Sequence, residues 1–361
     1  MQGRTQSAAV DVREVERERR VGLVGCGRIA GRHLEAILAL RPQLRLVGAV
    51  DPAPDARDRV ALAAGVPGYE TLEELLSAQE VDLVALCSPS GLHPEQATLA
   101  ARAGADVLTE KPLGVRLGEA RAMVQAVQDL GRELFIVKQL RYHPLFLAVR
   151  DALQLGRFGR LYTVALQVFW SRPQAYYDQA AWRGTRELDG GALMNQASHY
   201  VDLLEWLFGP VARVQGLGAT LGRAIEVEDT AALHLEWAEG LLGSMHVTML
   251  TYPQNLTTSL TVIGERGTVR LGGRGCDEIE AWTFAEPLPQ DEAVNGLAEV
   301  VGVTLSKGHE QVYRDVLRGD CARGYEGLLS LAVIDAAHRS FARGGLQEVT
   351  TWSRDSRSVG P

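Results

Sequence analysis

Hydrophobic and polar positions follow two different grammars along this chain, and the change falls near residue 140. In the first part, short apolar runs at 21–24, 44–50, 81–87, 105–108 and 134–137 are separated by stretches with helical spacing. Ile29, Ala30, Leu34, Ile37 and Leu38 recur at that spacing, and Thr71 with Glu74 predicts a capping box ahead of Leu75 and Leu76. Strand and helix in repetition predict βαβ units, hence an α/β domain built on a doubly wound parallel sheet.

Beyond a helical stretch at 144–155 the pattern shortens, and 161–170, 211–221, 231–237, 242–249, 257–263 and 268–271 read as consecutive strands. They predict an α+β domain with a large, mainly antiparallel sheet. Met245, Val247 and Met249 alternate with Ser244, His246 and Thr248, so the sheet has two unlike faces, and Gly264 to Gly267 reads as a hairpin turn. An open face must be covered by helices or by another subunit. Helical spacing returns at 311–317 and 327–343, whereas 286–307 reads as a poorly patterned connection. The expected division is a disordered leader over 1–20, a nucleotide-binding domain over 21–140, and a substrate-binding and assembly domain over 141–361.

Composition narrows the class. A chain of 361 residues exceeds one ordinary core and suits two domains. Its net charge of −8, with no basic run in the folded part, excludes a nucleic-acid binder. No apolar stretch approaches the roughly 20 residues of a membrane span. Residues 1–20 mix arginine with glutamate around no apolar core, unlike a secretory leader. Cys26, Cys87, Cys276 and Cys321 are scattered without metal-ligand spacing, which predicts reduced thiols in a cytoplasmic protein and no metal site.

Gly25-Cys26-Gly27-Arg28-Ile29-Ala30 follows the first strand and opens a helix, the one context in which G-x-G-x-x-A carries meaning. Gly25 permits the tight turn, Gly27 lets the backbone approach a pyrophosphate, and Ala30 allows close helix packing; this predicts a Rossmann domain. Asp51, ending the second strand, is placed to bind the adenosine ribose hydroxyls. A 2′-phosphate would meet that carboxylate, and no arginine immediately follows it, so the expected cofactor is NAD. Ser88 and Ser90 end the strand at 81–87 on the same carboxyl edge and should line the adenine and ribose path.

Glu110-Lys111-Pro112 ends the next strand, so Lys111 should project into the crevice, where a buried cation could polarise a substrate oxygen. A second cluster runs GGALMNQASHYVD from Gly190, and helical spacing would set Asn195, His199 and Asp202 on one face. An imidazole at His199 suits removal of a hydroxyl proton near neutrality.

Together GCGRIA, Asp51, EKP and GGALMNQASHYVD resemble the Gfo/Idh/MocA oxidoreductases over residues 21 to about 345. The resemblance implies the two-domain fold, bound NAD, Lys111 and His199 as catalytic pair, and a homodimer or homotetramer formed through the open sheet face. It also brings His93, Glu110, Gln139, Trp182 and Arg183 to the cofactor. Where the family usually has Asp, this chain has Asn195, which cannot act as a carboxylate base and should position substrate or His199. VKQLRYHP, VFWSRPQAYYDQAAWRGT, IEVEDT and TMLTYPQNL are similar to the family's branch that oxidises the C3 hydroxyl of UDP-N-acetylglucosaminuronic acid. For that substrate the expected contacts are Lys138, Arg172, Tyr177, Asn195, His199 and Tyr252, with His309 reaching in from the C-terminal segment. Arginine and lysine suit the substrate's diphosphate and carboxylate, and aromatic rings suit its sugar and uracil. An inositol-type dehydrogenase, an NAD-using glycosidase and a non-catalytic NAD-binding regulator are the alternatives.

Overall fold

The computed structural model describes residues 18–351. Most of the leader expected over 1–20 lies outside them, but Arg19 and Arg20 already belong to the first strand. The Arg20 guanidinium and main-chain N–H are both held by the Asp82 carboxylate, which fixes the chain there.

The first sheet comprises β1 (Arg19–Val24), β2 (Leu44–Val50), β3 (Gly68–Tyr69), β4 (Leu83–Leu86), β5 (Asp106–Thr109) and β6 (Leu134–Ile136). They lie in the parallel order β3-β2-β1-β4-β5-β6. Helices α1 (Ala30–Ala39), α2 (Pro54–Ala64), α3 (Leu72–Ala78), α4 (His93–Arg102) and α5 (Leu117–Asp129) connect them. This is the doubly wound sheet expected, with every strand's carboxyl end on one edge. Only half of the capping box forms as written. Thr71 accepts the Glu74 N–H at 3.2 Å, while the Glu74 carboxylate accepts from Glu70 rather than from Thr71.

The second part contains α6 (Pro144–Gln154), β7 (Leu161–Phe169), α7 (Gln174–Tyr177), α8 (Ser198–Phe208), β8 (Val211–Ala219), β9 (Thr230–Trp237), β10 (Leu242–Thr248), β11 (Thr257–Gly264), β12 (Gly267–Gly272) and β13 (Glu278–Phe284). It ends with α9 (Gln290–Ser306), α10 (Gly308–Arg318), α11 (Gly324–Arg343) and β14 (Gln347–Glu348). The sheet order is β13-β12-β11-β7-β10-β9-β8-β14, antiparallel except between β7 and β10. Register explains its two faces. Leu271, Leu260, Leu166, Met245 and Leu233 form one row against the helices, all buried, while Gln167, His246 and Leu217 point outward from neighbouring strands.

Two expectations needed correction. Residues 286–307 form helix α9 rather than an irregular connection; Val294 and Val301 are its only fully buried apolar side chains, too few for a visible stripe. Strand β13 was not expected, because as an edge strand it buries little beyond Phe284.

The chain then returns to the first domain. Val312, Tyr313 and Val316 of α10 pack in one core with Val21, Ala30 and Ile37, and the Ile136 N–H donates to the Ala322 carbonyl at 2.9 Å, covering the β6 edge. The sequence division at residue 140 is therefore crossed in space. Among the described residues no helix is long and apolar enough to cross a membrane.

Candidate active site

Gly25 has φ +88°, and a Cβ there would lie 2.5 Å from the Ser88 nitrogen, so only glycine lets β1 exit across the end of β4. A Cβ on Gly27 would meet nothing within 4 Å, which leaves the backbone N–H groups at the start of α1 open to a phosphate. Asp51 accepts the Cys26 N–H at 2.7 Å and the Ala53 N–H at 2.9 Å, binding the second strand's end to the glycine loop. Arg57 and Arg59 come round from α2 to the carbonyls of Asp51 and Cys26.

A crevice of about 410 Å³ runs from this loop to the segment around Tyr176 and His199. It gathers Gly25, Gly27, Arg28, Ile29, Asp51, Ser88, Ser90, Glu110, Lys111, Gln139, Trp182, Arg183, Asn195 and His199, all expected from sequence, with Cys87, Pro89, Tyr176 and Ala180. Two buried polar atoms on its wall lack partners, Oε1 of Gln139 and Nε of Arg183. Unsatisfied groups of that kind fit a polar, phosphorylated ligand such as a dinucleotide.

Other expected residues are placed elsewhere. Ala30 is buried in the packing of α1. His93 is buried and bridges the Pro112 and Ser88 carbonyls at 2.9 and 3.0 Å, so it braces the crevice rather than lining it. Lys138 is buried against Asp202 at 2.9 Å and Ser330 at 3.2 Å. Arg172 bonds Gln196 at 3.0 Å and lies over the Trp170 and Tyr176 rings, behind the wall. Tyr177 is buried beneath its neighbour Tyr176. Tyr252 is 95% exposed, and His309 turns to Glu110 at 2.9 Å.

The reacting centre is polar and partly buried, with Lys111, Gln139, Asn195 and His199 all on the crevice wall. The Lys111 ammonium donates to the Asn195 carbonyl at 2.7 Å. Burial pulls its pKa below the ordinary range; Glu110 and Asp189 oppose that, Lys138 and Arg172 add to it. The Gln139 amide donates to Nε2 of His199 at 3.0 Å. Burial, then the charge of Lys111, holds the His199 pKa well below its usual value, so the ring is a neutral acceptor at neutrality.

The single helical face expected for Asn195, His199 and Asp202 does not form. Residues Ala192–Gln196 wind as a π turn, and α8 begins only at Ser198. Asn195 therefore turns to Asp189, while Asp202 pairs with Lys138 and with Arg141 at 2.8 Å. Burial alone would raise the Asp202 pKa, yet those two cations hold it at about 2. Besides the four crevice residues Cys87, Pro89, Tyr176 and Ala180, sequence reasoning missed Asp189: buried, it accepts from Gly184 at 2.9 Å and from Asn195. Its only sequence signal is an acid directly before the Gly190-Gly191 pair.

Glu228 explains why IEVEDT accompanies this cluster. Its carbonyl and carboxylate accept the Ala192 and Leu193 N–H groups at 2.9 and 3.0 Å, anchoring the start of the π turn.

A doubly wound domain with this glycine loop, and a lysine beside a neutral histidine at its carboxyl edge, define an NAD-dependent oxidoreductase. Residues 19–138 match the oxidoreductase family with an NAD-binding Rossmann fold, and residues 146–270 match the GFO/IDH/MocA C-terminal domain. The chain belongs to the Gfo/Idh/MocA family. It is 45% identical to the WlbA dehydrogenase of Bordetella pertussis, solved in complex with NADH and UDP-GlcNAcA, over 93% of this chain and 99% of that one, with a TM-score of 0.90. The WlbA dehydrogenase of Chromobacterium violaceum, also with NADH and UDP-GlcNAcA, is 43% identical over 94% and 98% of the two chains, with a TM-score of 0.87. The inositol 2-dehydrogenase of Rhizobium meliloti is 27% identical over 90% of this chain and 97% of its own.

Proposed function

We propose that this enzyme oxidises the C3 hydroxyl of UDP-N-acetylglucosaminuronic acid to the 3-keto sugar. The observation that carries the reading is the 45% identity, over nearly the whole of both chains, to a dehydrogenase solved with NADH and that nucleotide sugar. Bound NAD+ supplies the two-electron acceptor. Neutral His199 takes the hydroxyl proton at Nε2, where the substrate hydroxyl replaces the Gln139 N–H on the ring's one lone pair, and the Lys111 ammonium stabilises the developing alkoxide, a contribution of roughly several kcal/mol once substrate and cofactor exclude water. Gln139 orients the imidazole, and Asp189 holds the Asn195 turn whose carbonyl aims Lys111. Arg28 and Arg183 on the crevice wall offer cations to phosphate and carboxylate groups, and Tyr176 and Trp182 offer aromatic faces.

This reading places the enzyme in the cytoplasm, on a route to diacetamido uronic acids of a surface polysaccharide. It has the enzyme assemble as a dimer or tetramer through the outer face of the second sheet. The test is absorbance at the NADH band when the protein and NAD+ meet UDP-N-acetylglucosaminuronic acid, with UDP-N-acetylglucosamine and inositol alongside. A rise with the uronic acid alone is expected. No rise, and no 3-keto product even with 2-oxoglutarate added to reoxidise NADH, would reject the substrate.

A further inference from the structure

The carboxylate next to the catalytic lysine is gripped from behind by a cluster that the reaction has not yet used. Oε1 of Glu110 accepts from Nε2 of His309 on α10 at 2.9 Å and from Nε2 of His33 on α1 at 3.1 Å. Oε2 accepts the main-chain N–H of Lys111 at 3.2 Å. The Tyr313 hydroxyl donates to Nδ1 of His33 at 2.9 Å, which leaves the His33 proton on Nε2, facing the carboxylate. His33 is fully buried, and Glu110 and His309 are 7% and 6% exposed.

A carboxylate in such a place meets two opposing demands. Burial favours its protonation, but three N–H donors favour the anion, and the hydrogen bonds from His309 and His33 win, holding Glu110 well below the ordinary range. Glu110 and Lys111 line the same crevice, and the anion's charge opposes the effect of burial on the Lys111 ammonium. Lysine stands at three positions only, 111, 138 and 307, among 37 basic residues. An arginine at position 111 would stay charged unaided, whereas a partly buried lysine is more readily deprotonated and gains from a nearby anion.

We propose that His309 and His33 are positioning residues for the reaction: they hold Glu110 as an anion beside Lys111, and through it α10 keeps the catalytic amine charged. This rests on the reading of Lys111 as a catalytic group. The ligand atoms of His33, Glu110 and His309 also lie within 4.8 Å of one another, close enough for a metal ion, but both imidazole Nε2 atoms already bond the carboxylate. The other charged or titratable groups facing Lys111 are Asp189, Lys138, Arg172, His93 and His199; those facing Glu110 are Cys87, His93, His199 and Tyr313.

Three lysines make a direct test possible. In the full-length protein labelled with 13C at lysine Cε, each amine titrates as its own resonance, assigned with Lys111→Arg and Lys307→Arg. Glu110→Gln should lower the proton affinity of Lys111 about tenfold or more. His309→Phe should lower it in the same direction, and His309→Gln, whose amide replaces the Nε2–H donor, should restore much of it. Lys307 should not move. In the His309 variants the alkaline limb of kcat should shift by the same amount, with little change in the KM for NAD+. His309→Phe is read only if it melts cooperatively; Glu110→Gln, nearly isosteric, gives the answer if it does not. An unmoved Lys111 resonance in folded Glu110→Gln, or a stoichiometric metal ion in the purified protein, overturns the proposal. Turnover surviving in Lys111→Ala would instead reject the catalytic reading of Lys111 and leave the titration result standing.

Discussion

At the scale of the residue, burial does most of the chemistry. It lowers the pKa of His199 well below 6.5, which favours the neutral form the reaction needs, and that of Lys111 below 10.5, which works against the protonated form and is opposed by Glu110 and Asp189. His199 must be neutral to accept a proton, so turnover falls as pH drops through its depressed pKa. Lys111 must be protonated, so turnover falls again as pH rises through its own lowered value. A bell-shaped plot of log kcat against pH is expected, its acid limb below 6.5 and its alkaline limb below 10.5; an alkaline limb at or beyond the ordinary lysine value would contradict the assignment. Lys111→Ala should lower kcat by roughly 10²- to 10⁴-fold while NAD+ affinity, measured by fluorescence quenching, stays near wild type.

At the scale of the element, the π turn is the part that turns a helix start into a site. Gly191 opens it with φ +102° and ψ −174°, and a Cβ there would lie 2.4 Å from the Glu228 carboxylate. Gly191→Ala therefore imposes a disfavoured backbone and displaces the group that anchors Ala192 and Leu193. The expected cost is about 1–3 kcal/mol in urea unfolding, together with a loss of turnover as the Asn195 carbonyl leaves Lys111. Wild-type stability and rate in this variant would mean that the turn does not aim the lysine. The cluster of Lys138, Arg141, Asp202 and Glu326 does comparable work one layer back, joining the end of β6 to α8 and α11 and thereby seating Gln139 against His199.

At the scale of the whole molecule, the two sheets are made interdependent by the end of the chain. Helix α10 packs on α1, and α11 lies against β8 with Phe341 over Gly216 and Gly218, so residues beyond 300 dock on both domains. The outer face of the second sheet is different: Leu217 is 78% exposed, Leu242 57% and Ile263 37%, with Leu242 and Ile263 on one row through Thr163 and Leu217 on the row of His246. Assembly through that face predicts a dimer or tetramer by sedimentation velocity, and a monomer for Leu217→Lys combined with Leu242→Lys. A wild-type protein that sediments as a monomer at micromolar concentration would remove the face from the assembly.

What the sequence determined by itself was local: the alternation of short apolar runs with helical spacing, Gly25 and Gly27 after a strand, Asp51 one strand later, and a lysine ending β5. Each of those signals lies within one strand-turn-helix unit, where the backbone alone decides which way a residue points. The weakly striped α9 and the edge strand β13 lack such a signal, because their burial comes from neighbours far along the chain. Only the tertiary structure decided that the helical spacing around Asn195 breaks into a π turn, that Lys138 and Arg172 stand behind the crevice wall, and that Asp189 supplies the carboxylate beside Asn195. It alone brought His309 across 199 residues to Glu110, because a hydrogen bond between two buried side chains depends on where helices dock and leaves no periodicity along the chain.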